Sequence, residues 1–401
     1  MADVVVVGAG QAGAALVAKL RNDGYDSPVT LIGDEPVPPY QRPPLSKKYL
    51  LGDMALERLY LRPESYYAEA EIDLRTGTRV TGIDRAAQEV VMGTERLGYE
   101  HLVLATGSLP RRLPDAIGGD LGGVHVVRTL ADVDAMAPGF QRGAKVLIVG
   151  GGYIGLEAAA VAASRGMQVV LVEMAERILQ RVAAKETSDY FRALHARHGV
   201  DIREGVGLEH LLGDGHVSGA RLSDGSEMDV DMVIVGVGIV PDTGLAEAAG
   251  LETCNGIAVD AQGRTSDPAI WAVGDCASFP HRGGRLRLES VPNAIDMGDC
   301  VAGNIMGRAQ VYVPQPWFWS DQYDVKLQIA GLSTGYDRIV TRDGGAAVSF
   351  WYYRGDQLLA VDAMNDPRAY MVGKRLIDAG KSADPAVVAD AGADLKPLLK
   401  S

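Results

Sequence analysis

Val4-Val-Val-Val-Gly-Ala-Gly-Gln-Ala-Gly13 is the stretch from which the fold can be read. A run of β-branched residues leads straight into the pattern G-x-G-x-x-G. Next comes Ala14–Leu20, an Ala/Leu-rich segment that reads as helix, and then a second apolar run, Val29–Ile32. Strand, glycine loop, helix, strand is the context that separates a dinucleotide-binding turn from an ordinary glycine-rich one. Gly8 makes the tight turn, Gly10 lets the backbone approach a pyrophosphate, and Gly13 lets helix and strand pack closely. The helix start then offers unpaired N–H groups and the positive end of its dipole to the phosphates. The acidic residue that holds a ribose hydroxyl is expected about 20 positions further on, where Asp34 and Glu35 stand.

The same unit occurs again. Val146–Val149 ends in Gly150-Gly-Gly-Tyr-Ile-Gly155, followed by helical Leu156–Ser164, a strand at Val169–Val172 and the acidic Glu173. Two complete units predict an α/β protein with two Rossmann-like dinucleotide-binding domains. Further strands are expected at Tyr99–Ala105, running into Ala105-Thr106-Gly107, and at Met232–Val237, ending in Gly236-Val-Gly238. Another is expected within Thr265–Asp275, ending at Gly274-Asp275. Past a linker at Pro314–Pro316, the aromatic residues Trp317, Trp319, Tyr323 and Phe350–Tyr353 alternate as in antiparallel strands. The segment from Lys381 to Ser401 reads as a helix with a loose end.

Composition narrows the function. With 401 residues the chain has room for two or three domains. A net charge of −13 argues against nucleic acid or an anionic membrane as the main partner. Three scattered cysteines, Cys254, Cys276 and Cys300, form neither a disulfide framework nor a zinc site, and a reducing, cytoplasmic setting fits them. No metal site is expected. Ala144–Ala163 is apolar enough to suggest a membrane span, but its glycines, Lys145 and Glu157 suit strand, turn and helix better. His195 and His198, three apart in a probable helix, read as surface histidines, and Cys276 as a small buried hydrophobe.

Taken together, the motifs resemble the FAD-dependent pyridine-nucleotide disulfide oxidoreductase superfamily, and within it the ferredoxin-reductase branch that serves bacterial oxygenases. The resemblance spans essentially the whole chain. It rests on Gly8–Gly13, Tyr40-Gln-Arg-Pro-Pro-Leu-Ser-Lys47, Ala105-Thr-Gly107, Gly150–Gly155, Gly236-Val-Gly238, Trp271-Ala-Val-Gly-Asp275 and Trp319-Ser-Asp321. It implies a glutathione-reductase-like architecture: a discontinuous FAD domain (1–109 and 240–315), an NAD domain (110–239) and a C-terminal α+β domain with an antiparallel sheet (316–401). Disulfide-reducing members carry a redox cysteine pair on the helix after the first unit. This chain has Arg42-Pro-Pro-Leu-Ser-Lys47 in that stretch and no cysteine before Cys254, so electrons must leave the flavin directly.

What the resemblance implies for individual residues follows. The FAD would be non-covalent and held by Gly8, Ala9, Gly10, Gly13, Asp34, Glu35, Arg42, Lys47, Val80, Ala105, Thr106, Gly107, Arg128, Gly274, Asp275, Glu289, Ser290, Val291 and Trp319. The NADH would lie on Gly150, Gly152, Tyr153, Ile154, Gly155, Glu173 and Gly238. Lys47 is expected near the flavin ring with Glu157 as its partner, and Tyr153 to cover the ring and yield to nicotinamide.

The expected activity is NADH-dependent reduction of a 2Fe-2S ferredoxin serving a haem-thiolate monooxygenase or a ring-hydroxylating dioxygenase. Reduction of rubredoxin or another small acceptor is one alternative. The other is an NADH-binding flavoprotein of the apoptosis-inducing-factor type. A monomer or weak dimer is expected. Because a ferredoxin is acidic like this chain, Arg285, Arg287, Arg308, Lys326 and Arg338 are candidates for a local basic docking region.

Overall fold

A computed structural model describes residues 2–400 and resolves them into two compact units. One comprises residues 2–42, 55–109 and 239–316; the other comprises 43–54, 110–238 and 317–400.

In the first unit the strand Ala2–Val7 lies between Val29–Ile32 and Glu95–Leu104, parallel to both. Ile72–Arg75 extends the sheet beyond Val29–Ile32, and Ile270–Ala272 pairs with the other side of Glu95–Leu104. Val4, Val5 and Val6 are wholly buried, which is why the run shows no polar alternation: a central parallel strand is covered on both faces. The helix Gln11–Asn22 follows the glycine loop, and the helix Val291–Ile305 packs along it. A Cβ on Gly298 would stand 2.9 Å from the Ala12 carbonyl oxygen, so the two helices can approach this closely only because that position is glycine. The expected strand in Thr265–Asp275 shrinks to Ile270–Ala272.

The second unit holds a five-stranded parallel sheet, in the order Asp201–Glu204, Gln168–Glu173, Lys145–Val149, Met232–Val235, Val124–Val126. The helix Tyr153–Ser164 follows the second glycine loop and is buried along most of its length. An antiparallel sheet is built from Trp317–Gln322, Val325–Gly331, Gln357–Met364, Val348–Arg354 and Arg338–Asp343, neighbours in that order. The helix Pro367–Asp378 packs on it.

The helix expected from Lys381 onward is not there. Pro385 and Pro397 each sit where a new short helical turn begins, and only Pro385–Ala389 and Lys396–Leu399 are helical. Among the described residues no helix is long and apolar enough to cross a membrane.

Candidate functional site

Both glycine loops show in atomic detail why glycine stands at each position. Gly8 has φ +116°, and a Cβ there would lie 2.1 Å from the Ala105 carbonyl oxygen. Gly150 repeats this with φ +108° and the Gly236 oxygen at 2.5 Å. A Cβ on Gly13 would meet the Gly8 oxygen at 2.2 Å, and one on Gly155 the Gly150 oxygen at 2.1 Å. At the middle positions, Gly10 and Gly152, nothing stands within 4 Å. Two glycines of each loop are therefore needed for packing, and the third keeps open the space at a helix start, where Gly10 and Gly152 are the N-caps. An open approach beside unpaired helical N–H groups fits a dinucleotide pyrophosphate on each loop.

Around the first loop the chain collects further polar groups. Gly274, with φ +76°, brings its turn against the first helix, so that a Cβ would lie 2.9 Å from Ala12 Cβ. Asp275 follows, accepting from Ser108 Oγ at 2.9 Å. Ser290 caps the Val291–Ile305 helix, accepting from the Asn293 N–H at 3.3 Å. Thr106 Oγ1 donates to the Asp242 carbonyl at 2.6 Å, between Ala105 and Gly107. Glu35 accepts from Tyr40 Oη at 2.6 Å and from Arg42 at 2.7 Å. Asp34 is 60% exposed and lies 3.5 Å from Arg79. Ala9 is partly buried, Val80 is buried, and Glu289 pairs with Arg287.

In the second unit Glu173 accepts from the Gly151 N–H at 2.7 Å and the Ala175 N–H at 2.8 Å. These bonds fix its carboxylate at the loop, whose Ile154 is exposed. Gly238, φ +100°, accepts at its carbonyl from the Arg111 N–H. The Arg128 backbone N–H donates to Asp132, where the helix Leu130–Met136 begins.

Glu157 lies one turn inside the Tyr153–Ser164 helix, rather than in its first turn, and is 3% exposed. Its carboxylate is 3.0 Å from Lys47 Nζ and accepts from Ser46 Oγ at 2.8 Å and Ser320 Oγ at 2.7 Å. Burial pushes this carboxyl above the usual carboxylate range, while Lys47, Ser320 and Ser46 oppose the rise. Asp321 stands 3.6 Å from the same lysine nitrogen. The Tyr153 ring tilts against Phe318 at 5.1 Å, and its hydroxyl is buried without a hydrogen-bond partner. Burial drives that phenol well above its ordinary value. Trp319 is half-buried between Trp317 and Phe318.

One expectation needs correction. His195 is not on the surface: it is fully buried, with Nε2 2.8 Å from Gln322 Oε1. Four of the five candidate docking cations are engaged by local acceptors. Arg285 turns inward onto Ser278 and the Val259 carbonyl, and Arg287 onto Glu289 and the Asp275 carbonyl. Arg308 pairs with Asp23 at 2.7 Å, and Arg338 lies over Tyr353 and reaches the Gly355 carbonyl. Arg285, Arg308 and Arg338 are nonetheless exposed, as is Lys326, while Arg287 is partly buried. Cys276 is fully buried, as its reading requires.

Residues 2–298 match the model of the pyridine nucleotide-disulphide oxidoreductases, and residues 317–399 match a reductase C-terminal model. A ferredoxin–NAD(P)(+) reductase of Sphingomonas sp is 44% identical over 393 residues, covering 96% of this chain and 95% of its own. Putidaredoxin reductase of Pseudomonas putida is 40% identical over 407 residues, covering 99% and 96%. The reductase in the solved covalent putidaredoxin reductase–putidaredoxin complex superposes with a TM-score of 0.96 at 39% identity, covering 100% of this chain and 98% of that one.

Proposed function

We propose that this chain, which belongs to the pyridine nucleotide-disulphide oxidoreductase family, is an NADH-dependent ferredoxin reductase carrying non-covalent FAD. The observation that carries this reading is the pair of glycine loops with open middle positions in a chain with no cysteine before Cys254. Two dinucleotides are provided for, and no disulfide stands where disulfide-reducing relatives keep theirs. Full-length likeness to proteins named as ferredoxin reductases supports a ferredoxin as the acceptor. By the same likeness we divide the chain into an FAD domain (1–109 and 240–315), an NAD domain (110–239) and a C-terminal domain (316–401).

Bound FAD would supply acceptance of a hydride and release of electrons one at a time, which no side chain can do. The chain's part is to bind and orient. The Gly10 loop and its helix start take the FAD pyrophosphate, with Glu35 for the ribose and Asp275 for the ribityl hydroxyls. The Gly152 loop takes NADH, and Glu173 accepts from its adenosine ribose. Lys47, fixed by Glu157, would supply the cation that favours the negative charge of the reduced flavin. Tyr153 would be the aromatic that covers the ring and keeps water from it. The three free cysteines suit a reducing compartment, and we assign the enzyme to the cytoplasm.

The test is steady-state transfer from NADH to purified 2Fe-2S ferredoxins, beside ferricyanide as a small acceptor. Saturable reduction of at least one ferredoxin is expected. Rapid ferricyanide reduction with no ferredoxin accepted would favour a small-acceptor reductase, and slow turnover with both would favour an NADH-binding flavoprotein.

A further inference from the structure

A line of hydrogen-bonded side chains runs through the second unit to Glu157. Tyr323 Oη lies 3.2 Å from His195 Nδ1, and His195 Nε2 lies 2.8 Å from Gln322 Oε1. Gln322 Nε2 donates to Ser320 Oγ at 3.2 Å, and Ser320 Oγ donates to Glu157 Oε1 at 2.7 Å. His195, Gln322, Ser320 and Glu157 are all buried. At the far end the Tyr323 ring stacks on His198 at 3.6 Å.

Chemistry fixes the direction of this line. An ionised carboxylate only accepts, so Ser320 spends its one proton on Glu157 and must itself accept from Gln322. The Gln322 amide nitrogen therefore faces Ser320 and its carbonyl faces His195. His195 must then carry its proton on Nε2, which leaves Nδ1 bare to accept from Tyr323. Every donor points toward Glu157. Burial holds the His195 imidazole down at about 4, so it is neutral at ordinary pH and can keep a single tautomer. An amide within the line orients but passes no proton, so the line acts by orientation alone.

We propose that His195 is a positioning residue which, through Gln322 and Ser320, holds Glu157 as an anion and so keeps Lys47 in place. The consequence for the flavin rests on the reading that Lys47 faces its ring. Burial disfavours the Glu157 anion, and each aligned donor opposes that penalty. The charged and titratable groups around the line are few. Lys47 faces Glu157 from the turn Leu45–Tyr49, and Asp321 faces Lys47 from the strand Trp317–Gln322. Tyr323 and His198 face His195.

The experiment is an infrared pH titration of the flavin-loaded protein, with Glu157→Gln identifying the protonated-carboxyl band of Glu157. His195→Phe and Gln322→Leu interrupt the line at separate points, so either variant suffices if the other fails to fold. Each is expected to make Glu157 about tenfold easier to protonate, since losing one bond in a line that ends on a charged acceptor is worth about that factor. His195→Gln, which returns an N–H near Nε2, should recover most of the difference. At a pH where Glu157 becomes protonated in the variants, the flavin midpoint potential should rise, because Lys47 is no longer neutralised. An unmoved carboxyl titration in a folded His195→Phe or Gln322→Leu protein overturns the proposal. A moved titration with an unmoved potential supports the positioning role and instead overturns the placing of Lys47 at the flavin.

Discussion

In the unit that carries Gly8–Gly13, the buried polar side chains are Thr30, Ser108, Ser278, Asn293 and Asn304, all uncharged. The unit that carries Gly150–Gly155 buries Glu157, His195, Arg342 and Asp362, among the described residues. Each of these has partners: Arg342, for instance, donates to the carbonyls of Val388, Ala391 and Ala393. The same phosphate-binding loop thus stands in two electrostatic settings. Among the described residues, one unit fully buries only uncharged polar side chains of this kind; the other also buries Glu157, His195, Arg342 and Asp362. Burying such groups costs stability unless they are fully paired. The placing of these four residues in one unit fits the proposed division between holding a cofactor and tuning it.

The sharpest way to break this comparison is to fill the third glycine of each loop. Gly13→Val would drive its side chain into the Gly8 carbonyl and should yield colourless protein. Gly155→Val makes the matching clash with Gly150 but should leave the protein yellow. Its NADH affinity should fall by about fivefold to a hundredfold, as overpacking of roughly 1–3 kcal/mol implies. Visible absorbance and anaerobic NADH titration read both. Equal loss of flavin in the two variants would show that the loops are not separately responsible.

A second test uses pH. Asp362 accepts from Thr187 Oγ1 at 2.7 Å and from the Tyr352 hydroxyl, and burial pushes its carboxyl up to about 6 against those bonds. A raised folded value means that the stabilising contribution is complete below the unfolded value of 3.8 and is lost as pH rises to about 6. Asp362→Asn removes this dependence. Its melting temperature relative to the parent should climb between about pH 4 and pH 6 and then level off, corresponding to about 3 kcal/mol. A pH-independent difference would mean that Asp362 ionises normally inside the fold.

The smallest effect concerns the two acidic residues at the loops. Glu173 is fixed by two backbone N–H groups, whereas Asp34 is largely exposed. Glu173→Ala should lower the NADH-over-NADPH ratio of kcat/KM by about tenfold, the worth of one charge-assisted contact. Asp34→Ala should leave that ratio alone. Equal ratios in the parent and Glu173→Ala would remove Glu173 from coenzyme choice.

What could be read from the sequence was local. Gly8–Gly13 and Gly150–Gly155 declare themselves because every residue of the device lies within one turn of its neighbours, and the flanking valines report burial on both faces. The C-terminal aromatics likewise fall within single strands, Trp317–Gln322 and Val348–Arg354, but in consecutive runs, and the second strand is buried on both faces rather than alternating. What could not be read depends on distant partners. His195 resembles a surface residue because Gln322, the group that satisfies it, comes 127 positions later. Likewise, nothing near Arg285 and Arg287 in sequence reveals that the Val259 and Asp275 carbonyls accept from them. The missing helix after Lys381 is different: Pro385 and Pro397 stand in plain view in the sequence, and each starts a new short turn.

The pairing of Leu102 with Val5 on one side and Ile270 on the other has a consequence for how the chain is made. During synthesis the strand Glu95–Leu104 appears early, but its second parallel neighbour emerges only after the parallel sheet that spans Val124–Val235. Until then its 102–104 edge presents unpaired N–H and C=O groups and wholly apolar side chains, a template for wrong pairing. Long-range parallel closure of this kind is slow and exposes the nascent chain to aggregation. A fragment ending before Ile270 should accumulate in the insoluble fraction even though it contains every residue of both glycine loops.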